Sequence, residues 1–163
     1  MDSGSKLYIL EGTGTTLSLS TLDGMVNPGS SLKSNVIISS ASASDYIPLS
    51  MNKGALILDR NVNLDSSSEL YKRSEFSSVK VDLTSGNSIT GSQSDQTGIA
   101  QRNYENSSGK DAVKITNDGS IALTGNNAVG IASDYGHVVN NSTVKTTGEK
   151  SVAIYSANGT TTE

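Results

Sequence analysis

The side chains of this chain that could do chemistry are few, and their types limit what they can do. His137 is the single histidine among 163 residues. Acid–base catalysis by an imidazole needs a second group to orient it, and a zinc site needs further His or Cys ligands. The chain has no cysteine, which excludes disulfides and thiolate metal sites. Serine is abundant, with 29 residues, yet no G-x-S-x-G elbow presents one as a nucleophile. Neither a phosphate-binding glycine loop nor a G-G-x-G-x-D calcium repeat occurs.

Carboxylates are the remaining candidates. Asp111, Asp118 and Asp134 lie in or beside the most regular part of the chain, and enzymes that cut sugars use clustered carboxylates on one outer face. In an internal repeat, however, Asp118 aligns with Asn141 and Asp134 with Ala157. That exchange reads as turn chemistry, in which Asp and Asn bond their own turns. Arginine is confined to Arg60, Arg73 and Arg102. His137 aligns with Thr160 and reads as a solvent-facing strand residue. Tyr135 and Tyr155 read as rings covering corners of the fold, and Tyr71-Lys72-Arg73 as a solvated charge cluster. The expectation is no catalytic residue, no cofactor, no metal and no assignable binding residue.

The elements that hold these groups follow from the repeat. Residues 117–139 and 140–162 align without gaps, with identities at Asn117/Asn140, Thr124/Thr147, Gly125/Gly148, Val129/Val152, Ile131/Ile154, Ser133/Ser156 and Gly136/Gly159. A period of this size marks a solenoid. Within the unit, Ser120–Thr124 and Ala128–Ser133 alternate apolar with small or polar residues, as half-buried strands do. Gly125-Asn-Asn127, Asp134-Tyr-Gly136 and Asn140-Asn141 supply turns, and the first suits positive φ. His137-Val-Val139 makes a third strand. Three strands and three turns in 23 residues describe a triangular coil; no helical run fits between the glycines. Ile131 should stack on Ile154 and Val129 on Val152, with Asn117 and Asn140 forming a short amide ladder.

Upstream, the pattern loosens. Thr97-Gly-Ile-Ala100 matches Val129-Gly-Ile-Ala132, the difference in spacing being assigned to a loop at Gln101–Lys110. Ser88-Ile-Thr90 resembles Ser120-Ile-Ala122. Short strands are expected at Asn35–Ile38, Ala55–Leu58, Val62–Leu64 and Val79–Leu83, Lys53–Leu58 is expected to open a coil of its own, and Leu7–Leu10 and Leu17–Leu22 are expected to begin the stack. Ser67–Ser77 reads as a short helix or lateral loop. The domain is therefore one solenoid over 1–163, irregular over 1–116 and regular over 117–139 and 140–162.

Composition agrees. The chain holds 29 Ser, 15 Thr, 14 Asn and 16 Gly, only 34% hydrophobic residues and one Phe, Phe76. A chain so polar either stays disordered or builds a thin aliphatic core from stacked repeats. A net charge of -4, two prolines and recurring Val/Ile/Leu clusters favour the second. The acidic balance, with pI ≈ 4.9, speaks against nucleic acid as a partner. No apolar run approaches the roughly 20 residues of a membrane span. The opening MDSGSKLYILEGTG lacks the pattern of a signal peptide, and Gly159–Glu163 breaks off within a repeat. The chain is thus expected to be a piece of a longer protein whose targeting segment lies elsewhere.

The repeated pattern N-[DN]-G-x-I-x-[LT]-T-G-x-x-[AS]-V-[GA]-I-[AY]-x-x-x-G, with strands such as Ser151-Val-Ala-Ile-Tyr155, resembles the repeats of autotransporter (type V secretion) passenger domains. The likeness is good over 117–163, partial over 79–116 and compositional before that. It implies an all-β fold, a single-stranded right-handed parallel β-helix, as an extracellular segment on the surface of a Gram-negative bacterium, anchored through a C-terminal outer-membrane barrel. The implied role is a non-enzymatic adhesin or stalk that presents loops to a host or bacterial surface protein or glycan. The segment itself would not insert into the membrane. The alternatives are a β-helical polysaccharide lyase or hydrolase, and a phage tail-spike segment. Open strand edges at the ends of a solenoid also lead us to expect end-to-end self-association.

Overall fold

The computed structural model describes residues 7–26, 46–66, 69, 71–73, 75–102, 114–158 and 161–163. In chain order its first half forms β1 (Leu7–Ser18), α1 (Leu19–Val26), β2 (Tyr46–Leu58), β3 (Val62–Asn63), a 3-10 turn at Tyr71–Arg73, β4 (Glu75–Ser77), β5 (Lys80–Leu83), β6 (Ser88–Gly91) and β7 (Thr97–Arg102). The second half forms β8 (Lys114–Asn117), β9 (Ser120–Leu123), β10 (Val129–Asp134), β11 (His137–Asn140), β12 (Val144–Thr146), β13 (Val152–Ala157) and β14 (Thr161–Thr162). The chain is mostly β, and every strand pairing among the described residues is parallel.

Three sheets result. Sheet A runs β1-β2-β5-β8-β11-β14, with β4 also beside β2; sheet B runs β3-β6-β9-β12; sheet C runs β7-β10-β13. From β5 onward the chain visits A, B and C in rotation, so each circuit lies on the one before it. Parallel strands cannot be joined by tight hairpins. From β5 onward each strand meets its parallel partner only after the chain has passed through the other two sheets.

Side-chain alternation sets which residues meet inside. Val81, Ile115 and Val138 form a buried column in sheet A, Ile89 and Ile121 in sheet B, and Ile99 and Ile131 in sheet C. Each such burial removes apolar surface from water, stabilising by about 1.5–3 kcal/mol per side chain. Ile131 pairs with Ile154 and Val129 with Val152, the columns expected from the repeat. Thr97 and Ile99 pair with Val129 and Ile131, so the upstream match is also in register. Residues 103–110 of the expected loop lie outside the described residues, as does Asn35–Ile38.

Turn residues bond along the stack as well as within a turn. Asn117 Nδ2 donates to Asn140 Oδ1 at 2.7 Å, which makes the short amide ladder. Beneath it the column holds Leu83, so the ladder stops there. Asn126 Oδ1 accepts the Glu149 N–H at 2.9 Å, and Asp95 Oδ1 accepts Asn127 Nδ2 at 3.1 Å. The Asn126 side chain thereby satisfies a peptide N–H at a corner, while the other two bonds join side chains of successive circuits. The corner formed by Asp95, Asn127 and Lys150 is left-handed in all three circuits, with φ of 63, 56 and 57°.

Within Leu17–Leu22, β1 ends at Ser18 and α1 begins at Leu19. The Ser18 hydroxyl accepts the Thr21 N–H at 3.3 Å, capping the helix, and Leu19 and Leu22 share one buried face. Lys53–Leu58 does not open a coil of its own. It is the second half of β2, which bends at the positive φ of Lys53 and Gly54 and pairs first with β4, then with β5. Ser67–Ser77, where described, holds the 3-10 turn and the strand β4 rather than a helix or loop alone. The Gly125-Asn-Asn127 turn does use a positive φ, at Asn127.

The two ends of the stack differ. At one, Leu19 and Leu22 of α1 join the core cluster beside Leu49 and Met51. At the other, Val144 and Ile154 are only partly buried, while Val152 and Tyr155 are 41% and 55% exposed, because no described circuit lies over them. No described helix is long and apolar enough to cross a membrane.

Candidate functional site

The side chains singled out from sequence do not converge. Asp111 lies outside the described residues. Asp118 Oδ1 accepts Asn141 Nδ2 at 2.8 Å and Asp134 Oδ1 accepts Asn158 Nδ2 at 2.6 Å. Both carboxylates therefore bind the next circuit, where local turn capping was expected. Among the described residues no group of three His, Asp or Glu side chains is placed to hold a metal ion. His137 sits in β11 beside Lys114 and Thr161. It was expected opposite Thr160, but the separation of paired residues grows by one between Asp134↔Ala157 and His137↔Thr161, which shifts the register by one. Nor is it solvent-facing: its side chain is 17% exposed, with Nε2 3.4 Å from Glu163 Oε1. Tyr155 lies within β13 and is exposed, so it covers no corner.

The site that does form was not assembled from sequence. It is a groove of about 940 Å³ whose lining comes from β2, β4, β7, Leu64, the 3-10 turn and the Asp95–Gln96 corner. Its apolar lining is Met51, Leu64 and Phe76; its polar lining includes Asn52, Ser77 and Gln96. One tyrosine holds it together. The Tyr71 ring stacks on Phe76 with centroids 6.1 Å apart, and its hydroxyl donates to the Gly98 carbonyl of β7 at 3.0 Å. Burial, and then the nearby Glu69 charge, push that hydroxyl well above the ordinary tyrosine range, so it stays a proton donor.

Charged side chains position Tyr71. The Arg60 guanidinium forks between two carboxylates, bonding both Glu69 oxygens at 2.9 and 3.0 Å and both oxygens of Asp23 on α1. Glu69 is 6% exposed and also accepts the Tyr71 N–H at 3.0 Å. Hydrogen bonds from Glu69 outweigh the burial of Arg60 and hold its pKa above the usual value. Arg60, scarce as arginine is here, thus links α1, the end of β2 and the groove. Of the expected charge cluster, Lys72 is exposed, and its Nζ donates to the Leu64 carbonyl at 2.9 Å.

On the opposite side, Asp65 fixes the corner carrying Gln96. Its carboxylate accepts the Ser92 N–H at 3.0 Å, the Ser92 hydroxyl at 2.8 Å and Gln96 Nε2 at 2.8 Å. The Ser92 N–H, followed by Gln96 and the Ser92 hydroxyl, lowers the Asp65 pKa from 3.8 to about 2. At Asp59 burial works the other way, but hydrogen bonds from Ser20 and Ser18 win and hold the carboxyl below its ordinary value. A depressed folded-state pKa contributes stability that is present above the unfolded value and lost as pH falls through the folded one. Thermal melts of the wild type are therefore expected to lose stability between pH 3.8 and about 2. In Asp65→Asn that acid loss should be smaller, with a lower melting temperature at neutral pH.

Compared with known proteins, the chain matches no family model, no curated protein and no solved structure. The functional reading stands on geometry and on the repeat alone.

Proposed function

We propose that this chain is a non-enzymatic segment of an autotransporter passenger domain, an adhesin stalk displayed outside a Gram-negative cell. In this reading the three sheets are the faces of a right-handed parallel β-helix, with triangular coils of about 23 residues in its regular part. The observation that carries it is the rotation of the chain through sheets A, B and C with every pairing parallel. A stack of this kind grows in one dimension, each circuit contacting only its neighbours. It suits a rod that holds a binding surface away from a cell. The pattern shared by residues 117–139 and 140–162 supports the family, and the side chains of the regular circuits are occupied in bonds along the stack. Binding then belongs to the irregular part, where the groove lies.

Display decides the matter. The chain is fused to an outer-membrane anchor on a non-adherent bacterium. Adherence to host-cell monolayers and clumping of the bacteria are then scored against the anchor alone. The expected result is adherence or clumping above the anchor. Release of reducing or unsaturated sugar from a polysaccharide panel, without adherence, would replace this reading by a β-helical enzyme.

A further inference from the structure

Sheets A and B each have a strand in the circuit that contains β2 and β3, but among the described residues sheet C does not. After β3, where later circuits place a sheet C strand, the chain makes the 3-10 turn at Tyr71–Arg73 and then sends β4 back to sheet A beside β2. Sheet C consequently stops at β7, and among the described residues no strand pairs with its outer edge. The groove of about 940 Å³ lies against that edge, since Thr97, Gly98 and Ala100 of β7 line it. A sheet edge with space beside it is a template for another strand.

We propose that the groove binds an extended polypeptide segment, which adds to sheet C as its missing strand. The proposal refines the adhesive role above by naming the ligand as polypeptide, and it stands on the groove itself. β7 is six residues long, so a matching partner strand spans about 20 Å. Backbone groups of β7 would supply affinity, and side-chain pockets would supply selectivity. Phe76 and the exposed Ala100 favour apolar side chains on the ligand, while Asn52 and Ser77 offer amide and hydroxyl partners to the peptide backbone. A glycan fits less well. The Tyr71 ring is 7% exposed and spends its face on Phe76, leaving no open platform for a sugar. An acidic polymer has no basic cluster to meet, because Lys72 and Asp95 both line the groove.

The probe is a fluorescein-labelled peptide with the sequence of residues 151–157, a stretch that includes the whole of the sheet C strand β13. Fluorescence anisotropy with the whole chain should show saturable binding. Asn52→Trp, an exposed groove position, should weaken it by about tenfold or more while leaving circular dichroism and melting unchanged. A peptide carrying proline in place of its isoleucine should not bind. Absence of saturable binding to the wild type would overturn the proposal. So would binding that survives Asn52→Trp but is lost in Ala153→Pro, which would place the peptide on the open edge of β13. Binding of maltoheptaose in place of the peptide would overturn it too. None of these outcomes depends on the display assay, so the two readings fail separately.

Discussion

Gly125→Ala is expected to destabilise the protein by about 3 kcal/mol, the upper part of the range for overpacking a tight site. A Cβ at Gly125 would lie 1.9 Å from the Gln93 carbonyl oxygen and 2.3 Å from its carbon. Both atoms are backbone of the circuit beneath, so no side chain can swing aside. The glycine is therefore required by the closeness of two stacked turns. Gly148 repeats the arrangement one circuit on, where an added Cβ would lie 1.9 Å from the Gly125 carbonyl oxygen. Its circuit has no described neighbour above it and can lift away, so Gly148→Ala is expected to cost less. Urea denaturation of the two variants checks the order; equal losses would mean that stacking distance does not select these glycines.

The second large effect belongs to the Ile99–Ile131–Ile154 column. Ile131 is fully buried between its two neighbours, and Ile131→Ala is expected to cost about 2–5 kcal/mol through lost transfer energy and a cavity. Ile154 packs on the core from the outermost described circuit and is only partly buried, so Ile154→Ala should cost clearly less. The dynamic consequence differs as well. A cavity at Ile131 weakens the interface that carries everything beyond it, and amide exchange should quicken across residues 140–158 along with the local strand. Ile154→Ala should quicken exchange only in β13 and its immediate partners.

How much of this was legible in the sequence varied along the chain. Where two circuits have equal length, identical residues fall on one another, and the Val129/Val152, Ile131/Ile154 and Asn117/Asn140 pairs could be read directly. The extra residues before Lys114 left the phase of sheet C intact, so Thr97-Gly-Ile-Ala100 was also placed correctly. The misplaced partner of His137 shows the limit: one more residue in a turn moves every later residue, and turns rich in Asn, Ser and Gly carry no pattern that reports it. At Leu17–Leu22 a period of two and a helical pair at Leu19 and Leu22 coexist. The Ser18 cap and the bonds from Ser20 to Asp59 tip the balance to helix.

The groove was less legible still. It lies where, among the described residues, one sheet has a strand fewer than the others, and its lining comes from segments far apart in the chain. One signal was available. Phe76 is the single phenylalanine, five residues from Tyr71, in a chain with 4% aromatics. Two rings so close in so aliphatic a sequence mark the place where the core departs from the thin stack. Likewise Arg60 stood out by scarcity, but its partners Asp23 and Glu69 carried no spacing rule that would have joined them.

The central claim is that successive circuits lie in parallel register on one another, through the irregular part as well as the regular repeat. Since the chain has no cysteine, oxidative cross-linking tests it directly. Ala100 and Ala132 are register partners in β7 and β10, on strands about 4.8 Å apart, a distance a disulfide can span. Ala100→Cys with Ala132→Cys is expected to close an intramolecular disulfide under mild oxidation, read by intact mass and thiol counting. Ala100→Cys with Asp134→Cys, two residues out of register, should remain reduced under the same conditions. Ready closure of the second pair and failure of the first would contradict the stacking on which the rest depends.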